Sequence, residues 1–297
     1  TESDNQWSKN SQLTTKNAEY LPRFQALCEK YGFKPVYLTD YTMANNEYFV
    51  RFAKDCLKND TCEIGMHLHA WDTPPIHKYD NYKETKPYLI EYPRGIMYDK
   101  LVNLTNILES KFEQKMISHR AGRWATNEIY FQILGELGYK VDCSVTPGVN
   151  WSKQQGINMG GTDYSRSSYD PYIILKDFNL LEVPVSVRKL FFLPLRFRNK
   201  RNIKSSLKNA MYSVIGKNVW LRPSISDEVE VQHLLNTLEE EDCNYIQFMM
   251  HSSEFMPGGS PYFSNDNDIE ELYKALERLF KKISLRYEGK TLKEYYK

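Results

Sequence analysis

Leu21, Phe24, Cys28 and Tyr31 recur at helical spacing, and Gly32 closes that pattern just before the extended run KPVYL at 34–38. The same change of period, from about 3.6 to an extended apolar run, repeats along the chain. A helix over NEYFVRFAKDCL leads to a strand CEIGMHL, a helix over YDKLVNLTNILESKF to KMISH, and a helix over NEIYFQILGELG to YKVDCSV. After a loop-rich stretch come NLLEVPVSV, a helix around 205–215, NVWLR, the helix DEVEVQHLLNTLEEE, the strand YIQFMMH and a long helix over 268–286. Alternation of this kind predicts a parallel sheet wrapped by helices. Seven strands, no internal repeat and no low-complexity linker in 297 residues predict a single domain over 1–297, built as a closed or nearly closed α/β barrel. The competing fold is a doubly wound open sheet, but no G-x-G-x-x-G or P-loop follows any strand.

The barrel places chemistry where strands end and loops begin. His67 and His69 end the second run, His119 and Arg120 follow KMIS, Asp142 lies in YKVDCSV, and His251 ends YIQFMM. His67 and His69 stand at i and i+2, so on an extended strand they leave the same face and both imidazoles reach one ion. A neutral imidazole pair is a partial site for zinc or another divalent ion, and a carboxylate as third ligand leaves room for water and substrate. SHRAGRW adds Arg120, Arg123 and Trp124 before a helix, and an arginine at a barrel mouth fixes a carboxylate or a developing oxyanion. Trp71, Trp124 and Tyr262 are candidate walls for a sugar ring. His77, in a polar loop, and His233, on an acidic helix, are read as solvated.

Composition narrows the partners. Lys plus Arg (39) nearly balances Asp plus Glu (38), which argues against nucleic acid as the partner. No apolar run is long enough to span a membrane. The five cysteines show no C-x-x-C spacing, which fits a reducing, cytoplasmic setting better than a disulfide framework. From Arg188 to Lys217 the chain is basic, contains no acid and is interleaved with Leu and Phe. That composition suits a solvated basic helix face, or contact with a membrane surface or a lipid-linked glycan.

Five segments, EIGMHLHAWDTPP, SHRAGRWATN, GYKVDCSVTPGVNW, LLEVPVSV and MMHSSEFMPGGSPY, together resemble the NodB-homology polysaccharide deacetylases, carbohydrate esterase family four, in the WalW-like branch of lipopolysaccharide or capsule biosynthesis proteins. The resemblance implies a distorted (β/α)7 barrel and a metal-dependent hydrolase that removes the acetyl group from an N-acetyl sugar of a glycan. It implies zinc held by two histidines and one acid, with His67 matching the first histidine and His69 standing for the second, at a spacing of two where four is commoner. Arg120 matches the arginine that orients the catalytic acid, His251 the histidine that protonates the leaving amine, and Asp142, more loosely, an acid that tunes that network. The family's acidic motif closes its first strand, and TESD at the start of the chain looks like the tail of such a motif. On that reading Glu2 is the metal acid, the base precedes Thr1 and the first strand is truncated; Asp4 and Asp72 are the other candidate acids, and a frayed acidic terminus is the plain alternative. Two further readings stand beside this one: an amidohydrolase-type metal barrel, and a degenerate deacetylase scaffold that only binds glycans.

Overall fold

A computed structural model describes residues 14–77, 88–154, 160–191, 216–223 and 227–297. The predicted alternation is present in its first half. Helix α1 (Leu21–Lys30) leads into β1 (Val36–Thr39), and α2 (Tyr41–Ala44) and α3 (Glu47–Lys58) into β2 (Glu63–Leu68). Then α4 (Arg94–Phe112) precedes β3 (Ser118–Ala121), and α5 (Glu128–Glu136) precedes β4 (Val141–Asp142). Side chains that accept from backbone N–H groups begin three of these helices, α2, α3 and α5, as N-caps do: Asp40 accepts from Met43 N, Asn46 from Phe49 N and Asn127 from Tyr130 N.

Strands β5 (Tyr172–Leu175) and β6 (Leu180–Glu182) complete a six-stranded sheet of order β1-β2-β3-β4-β6-β5. Four of its pairings are parallel, and only β5 runs antiparallel to its neighbour β6. A separate antiparallel pair is formed by β7 (Val187–Leu190) and β8 (Lys217–Trp220). The C-terminal part supplies α6 (Glu228–Glu240), α7 (Asp266–Ile283) and α8 (Leu292–Tyr296). One large apolar core joins α1, α3, α4, α5, α6 and α7 to the sheet.

Two expectations change here. The NLLEVPVSV run is not one strand: it breaks between β6 and β7 around Pro184, which has no N–H to give a ladder. The segment 245–251, expected as the last strand, joins no ladder. Its amides reach a side chain and a loop carbonyl, Gln247 N to Ser186 Oγ at 2.8 Å and Met249 N to Leu221 O at 3.4 Å. Among the described residues β2 is the only ladder partner of β1, so the barrel is not closed between β1 and this segment. The helix expected at 205–215 and most of the basic 188–217 segment lie outside the described residues.

Register decides which side chains face the interior. His67 pairs with Arg120, and both line a large cavity on one face of the sheet with Leu38 of β1. Their neighbours alternate to the opposite face. There Met66 meets Thr105 of α4, and His119 meets Tyr130 of α5.

Candidate active site

The cavity has a volume of about 1170 Å³. At the carboxyl ends of the strands its wall holds His67, His69, Trp71, Arg120, Trp124 and His251, and it continues along β1 toward Lys34 and Thr291.

Asp40, His69 and Asp72 bring one ligand atom each within 4.8 Å of one another. Asp40 follows directly on β1, His69 follows directly on β2, and Asp72 lies in the next loop, so two adjacent parallel strands deliver the group to one rim. His69 Nδ1 stands 3.6 Å from Asp40 Oδ2 and 3.9 Å from Asp72 Oδ2, beyond direct hydrogen-bond reach. Burial, with the charge of Asp40 beside it, pushes the Asp72 carboxyl up to about 7, while hydrogen bonds from Thr42 and Thr73 oppose that rise. A buried carboxylate, Asp40, and a half-buried one, Asp72, around one imidazole suit a divalent cation: one nitrogen and two oxygens, with the like charges neutralised by the ion. The residues therefore fit a metal such as zinc.

Sequence reasoning found His69 and kept Asp72 in reserve, but missed Asp40. Its signal was present, a carboxylate directly after an apolar run, the same signal that marked His67 and His69. Glu2 and Asp4, the acids expected from the N-terminal motif, lie outside the described residues.

His67 is beside this cluster and not within it. Its ring centroid is 4.6 Å from that of His69, as the i, i+2 spacing predicts. His67 Nδ1 meets Arg120 O at 2.9 Å, so it carries the proton and leaves Nε2 as a lone pair, the arrangement a histidine takes when its other nitrogen is a ligand. Burial, and then the neighbouring His69, hold its pKa well below the ordinary imidazole value. Trp71 stacks on His69 at 4.4 Å and 13°. Gly122 passes the same spot: a Cβ there would overlap the Leu68 carbonyl oxygen and come within 2.8 Å of His69 Cδ2.

Arg120 is 9 % exposed and lines the cavity. Its Nε donates to Cys143 O at 3.0 Å and its Nη2 to Gln247 Oε1 at 3.2 Å, and its guanidinium lies 5.0 Å over the Trp124 ring. These contacts are to neutral groups, not to the acid the resemblance led us to expect. Arg123 and Trp124 both adopt left-handed backbone, φ 54° and 62°, a conformation that costs about 1–2 kcal/mol for each such residue and fixes where their side chains leave the chain. Trp124, Trp220 and Trp151 form a continuous aromatic wall with centroids 5.9 and 6.2 Å apart. Trp151 and Trp220 were not anticipated, since nothing in their local sequence separates a wall from a core indole. Tyr262 lies on the rim at 43 % exposure.

His251 is held by two residues nearby in space. Arg222 Nη2 meets His251 Nδ1 at 2.7 Å, and because arginine only donates, Nδ1 is the acceptor and Nε2 carries the proton. Glu254, buried, accepts from Arg222 at 2.8 Å and from the His251 backbone N–H at 2.7 Å. Burial would raise its pKa, but His251 and Arg222 outweigh that and bring it down to about 2.

Asp142 does not reach the cavity. It pairs in register with His119, one residue before Arg120, so the two-residue period turns both toward the helices. There, fully buried, Asp142 Oδ1 meets His119 Nδ1 at 2.6 Å and accepts from Ser144 Oγ at 2.9 Å. Burial and the nearby Asp142 push Glu182 well above the ordinary carboxylate range, whereas Asp142 is held down by His119 against the effect of its burial.

No protein-family profile and no curated protein matches the sequence. Among solved structures, a Mycobacterium smegmatis protein described as a polysaccharide deacetylase matches at TM-score 0.51 and 12 % identity, over 91 % of this chain and 73 % of that one. A CE4-family pseudoenzyme from Bacillus anthracis overlaps 43 % of this chain and 40 % of its own at TM-score 0.31 and 16 % identity. A mutant of that pseudoenzyme with restored enzymatic activity overlaps 51 % and 53 % at TM-score 0.32, again with 16 % identity. In fold, the chain is similar to a polysaccharide deacetylase.

Proposed function

We propose that the chain is a metal-dependent hydrolase that removes the acetyl group from an N-acetyl sugar of a surface polysaccharide or its precursor. The observation that carries this reading is the Asp40–His69–Asp72 cluster at the mouth of a tryptophan-walled cavity, on a fold similar to a polysaccharide deacetylase. Asp40, His69 and Asp72 would hold the ion, with the Nε2 lone pair of His67 next to them. A bound divalent cation supplies Lewis acidity toward an acyl carbonyl and lowers the pKa of its water. His251, neutral with its proton on Nε2, offers that N–H as a hydrogen bond to the departing sugar amine, and the hydrogen bond from Arg222 to Nδ1 keeps that tautomer in place. Trp71, Trp124 and Tyr262 offer apolar faces to the pyranose, joined by Trp151 and Trp220.

The finer assignment, to the WalW-like branch as a single catalytic domain, rests on the five sequence segments that carry the resemblance. Five free, buried cysteines support a reducing, cytoplasmic setting. The test is direct: load the purified chain with zinc, count ions per chain and assay acetate release from N-acetylglucosamine oligomers. One ion and metal-dependent acetate release are expected. Metal binding without hydrolysis of any N-acetylated glycan would favour the glycan-binding alternative, and two ions the amidohydrolase one.

A further inference from the structure

Among the described residues, the charges around the cavity mouth do not balance. Arg222 is matched by Glu254 at 2.8 Å. A divalent ion on Asp40 and Asp72 cancels their two charges. Two guanidinium groups then remain. Arg120, nine-tenths buried, gives its hydrogen bonds to a backbone carbonyl and to an amide oxygen, both neutral. Arg123, at the same wall, is exposed, lies 5.5 Å over the Tyr88 ring and meets no carboxylate among the described residues.

A guanidinium desolvated without a counter-charge is costly, and the cost is recovered when an anion enters beside it. Planar, five-donor guanidinium groups recognise carboxylate and phosphate oxygens in preference to sugar hydroxyls. The indoles of Trp124, Trp151 and Trp220 stand beside them and accept sugar faces. Arg123 and Trp124 are consecutive and both left-handed, so the cationic and aromatic elements leave the backbone at one fixed place. Neutral glycans would use the aromatic wall and leave the buried charge of Arg120 without an anion beside it.

We infer that the substrate is an anionic glycan, with a carboxylate or phosphate next to the N-acyl sugar, and that Arg123 reads that group while buried Arg120 sets the favourable field. This rests on the cavity being a glycan site, as proposed above. Three N-acetylglucosamine ligands separate the possibilities: a neutral oligomer, one with a neighbouring glucuronate, and one bearing a phosphate. At least one of the charged ligands is expected to show kcat/KM about tenfold above the neutral one, the worth of one charge-assisted contact. That ratio collapses in Arg123→Gln through KM, is partly kept in Arg123→Lys, and shrinks with added salt. Whether glucuronate or phosphate carries the preference identifies the anion.

Calorimetric binding of the de-N-acetylated ligands to the zinc-loaded chain gives a readout independent of turnover. A preference for the charged ligand that depends on Arg123 upholds the inference even if no acetate is released, a result that would defeat only the catalytic reading. Equal affinity and equal turnover for neutral and charged ligands would overturn it while leaving the deacetylase reading intact.

Discussion

His119 and Asp142 face each other across β3 and β4, 2.6 Å apart and both fully buried, on the side of the sheet away from the cavity lined by Arg120. One residue of register separates a structural pair from a cavity-lining arginine. Asp142→Asn is expected to lower stability by about 2 kcal/mol, the scale for losing a buried hydrogen bond to a charged group, without changing zinc stoichiometry. Urea unfolding and metal content measured on the same preparation check this. A drop in bound zinc with stability unchanged would return Asp142 to the active site.

Metal binding should depend most on the three clustered residues. Asp40→Asn and His69→Ala are each expected to weaken zinc affinity by at least about tenfold, because each removes one of few ligands. His67→Ala should cost less, since its ring adjoins the cluster without being part of it. Competition titration with a chromophoric chelator measures all three. Equal losses for His67→Ala and His69→Ala would move the ion between the two imidazoles.

The change of period along the sequence was enough to read the helices and parallel strands of the first half, because each apolar face there is buried against one neighbour. It also placed His67, His69, Arg120 and His251 on one rim. The barrel's closure was not legible: YIQFMM has the composition of a buried strand, but a ladder needs a partner edge, and local composition does not say whether one is supplied. Asp142 was misplaced for a related reason. Its face is set by the pairing of Ser118 with Val141, a relation between residues 23 apart. Asp40 was hidden by its second role, since its Oδ1 also caps α2 through Met43 N, and an aspartate before a helix reads as a cap.

Glu254 gives the fold an acid-sensitive contribution. Its folded pKa is depressed from 4.5 to about 2, so the stabilisation is present above about 4.5 and is lost as pH falls through 2. A shift of that size is worth about 3 kcal/mol at neutral pH. Glu254→Gln should therefore be less stable at pH 7, with a flatter fall between pH 5 and 2 that brings its curve toward that of the parent chain. Urea midpoints across that range test the sign. Parallel curves would mean that Glu254 titrates alike in the folded and unfolded chains.

Gly122 ties the strained SHRAGRW turn to the metal cluster. Adding one methyl there drives it into the Leu68 carbonyl oxygen and against His69, and neither is a flexible side-chain end that can swing aside cheaply. Overpacking of this kind costs about 1–3 kcal/mol. The relief available is to move the turn, and with it Arg123 and Trp124, or to move His69 away from Asp40 and Asp72. Gly122→Ala is therefore expected to lose zinc affinity far out of proportion to its loss of stability. A thermal melt set beside a zinc titration separates the two effects. If zinc binding survives while the melting temperature falls, the turn yields and His69 does not, and the geometry of the site is held by β2 alone.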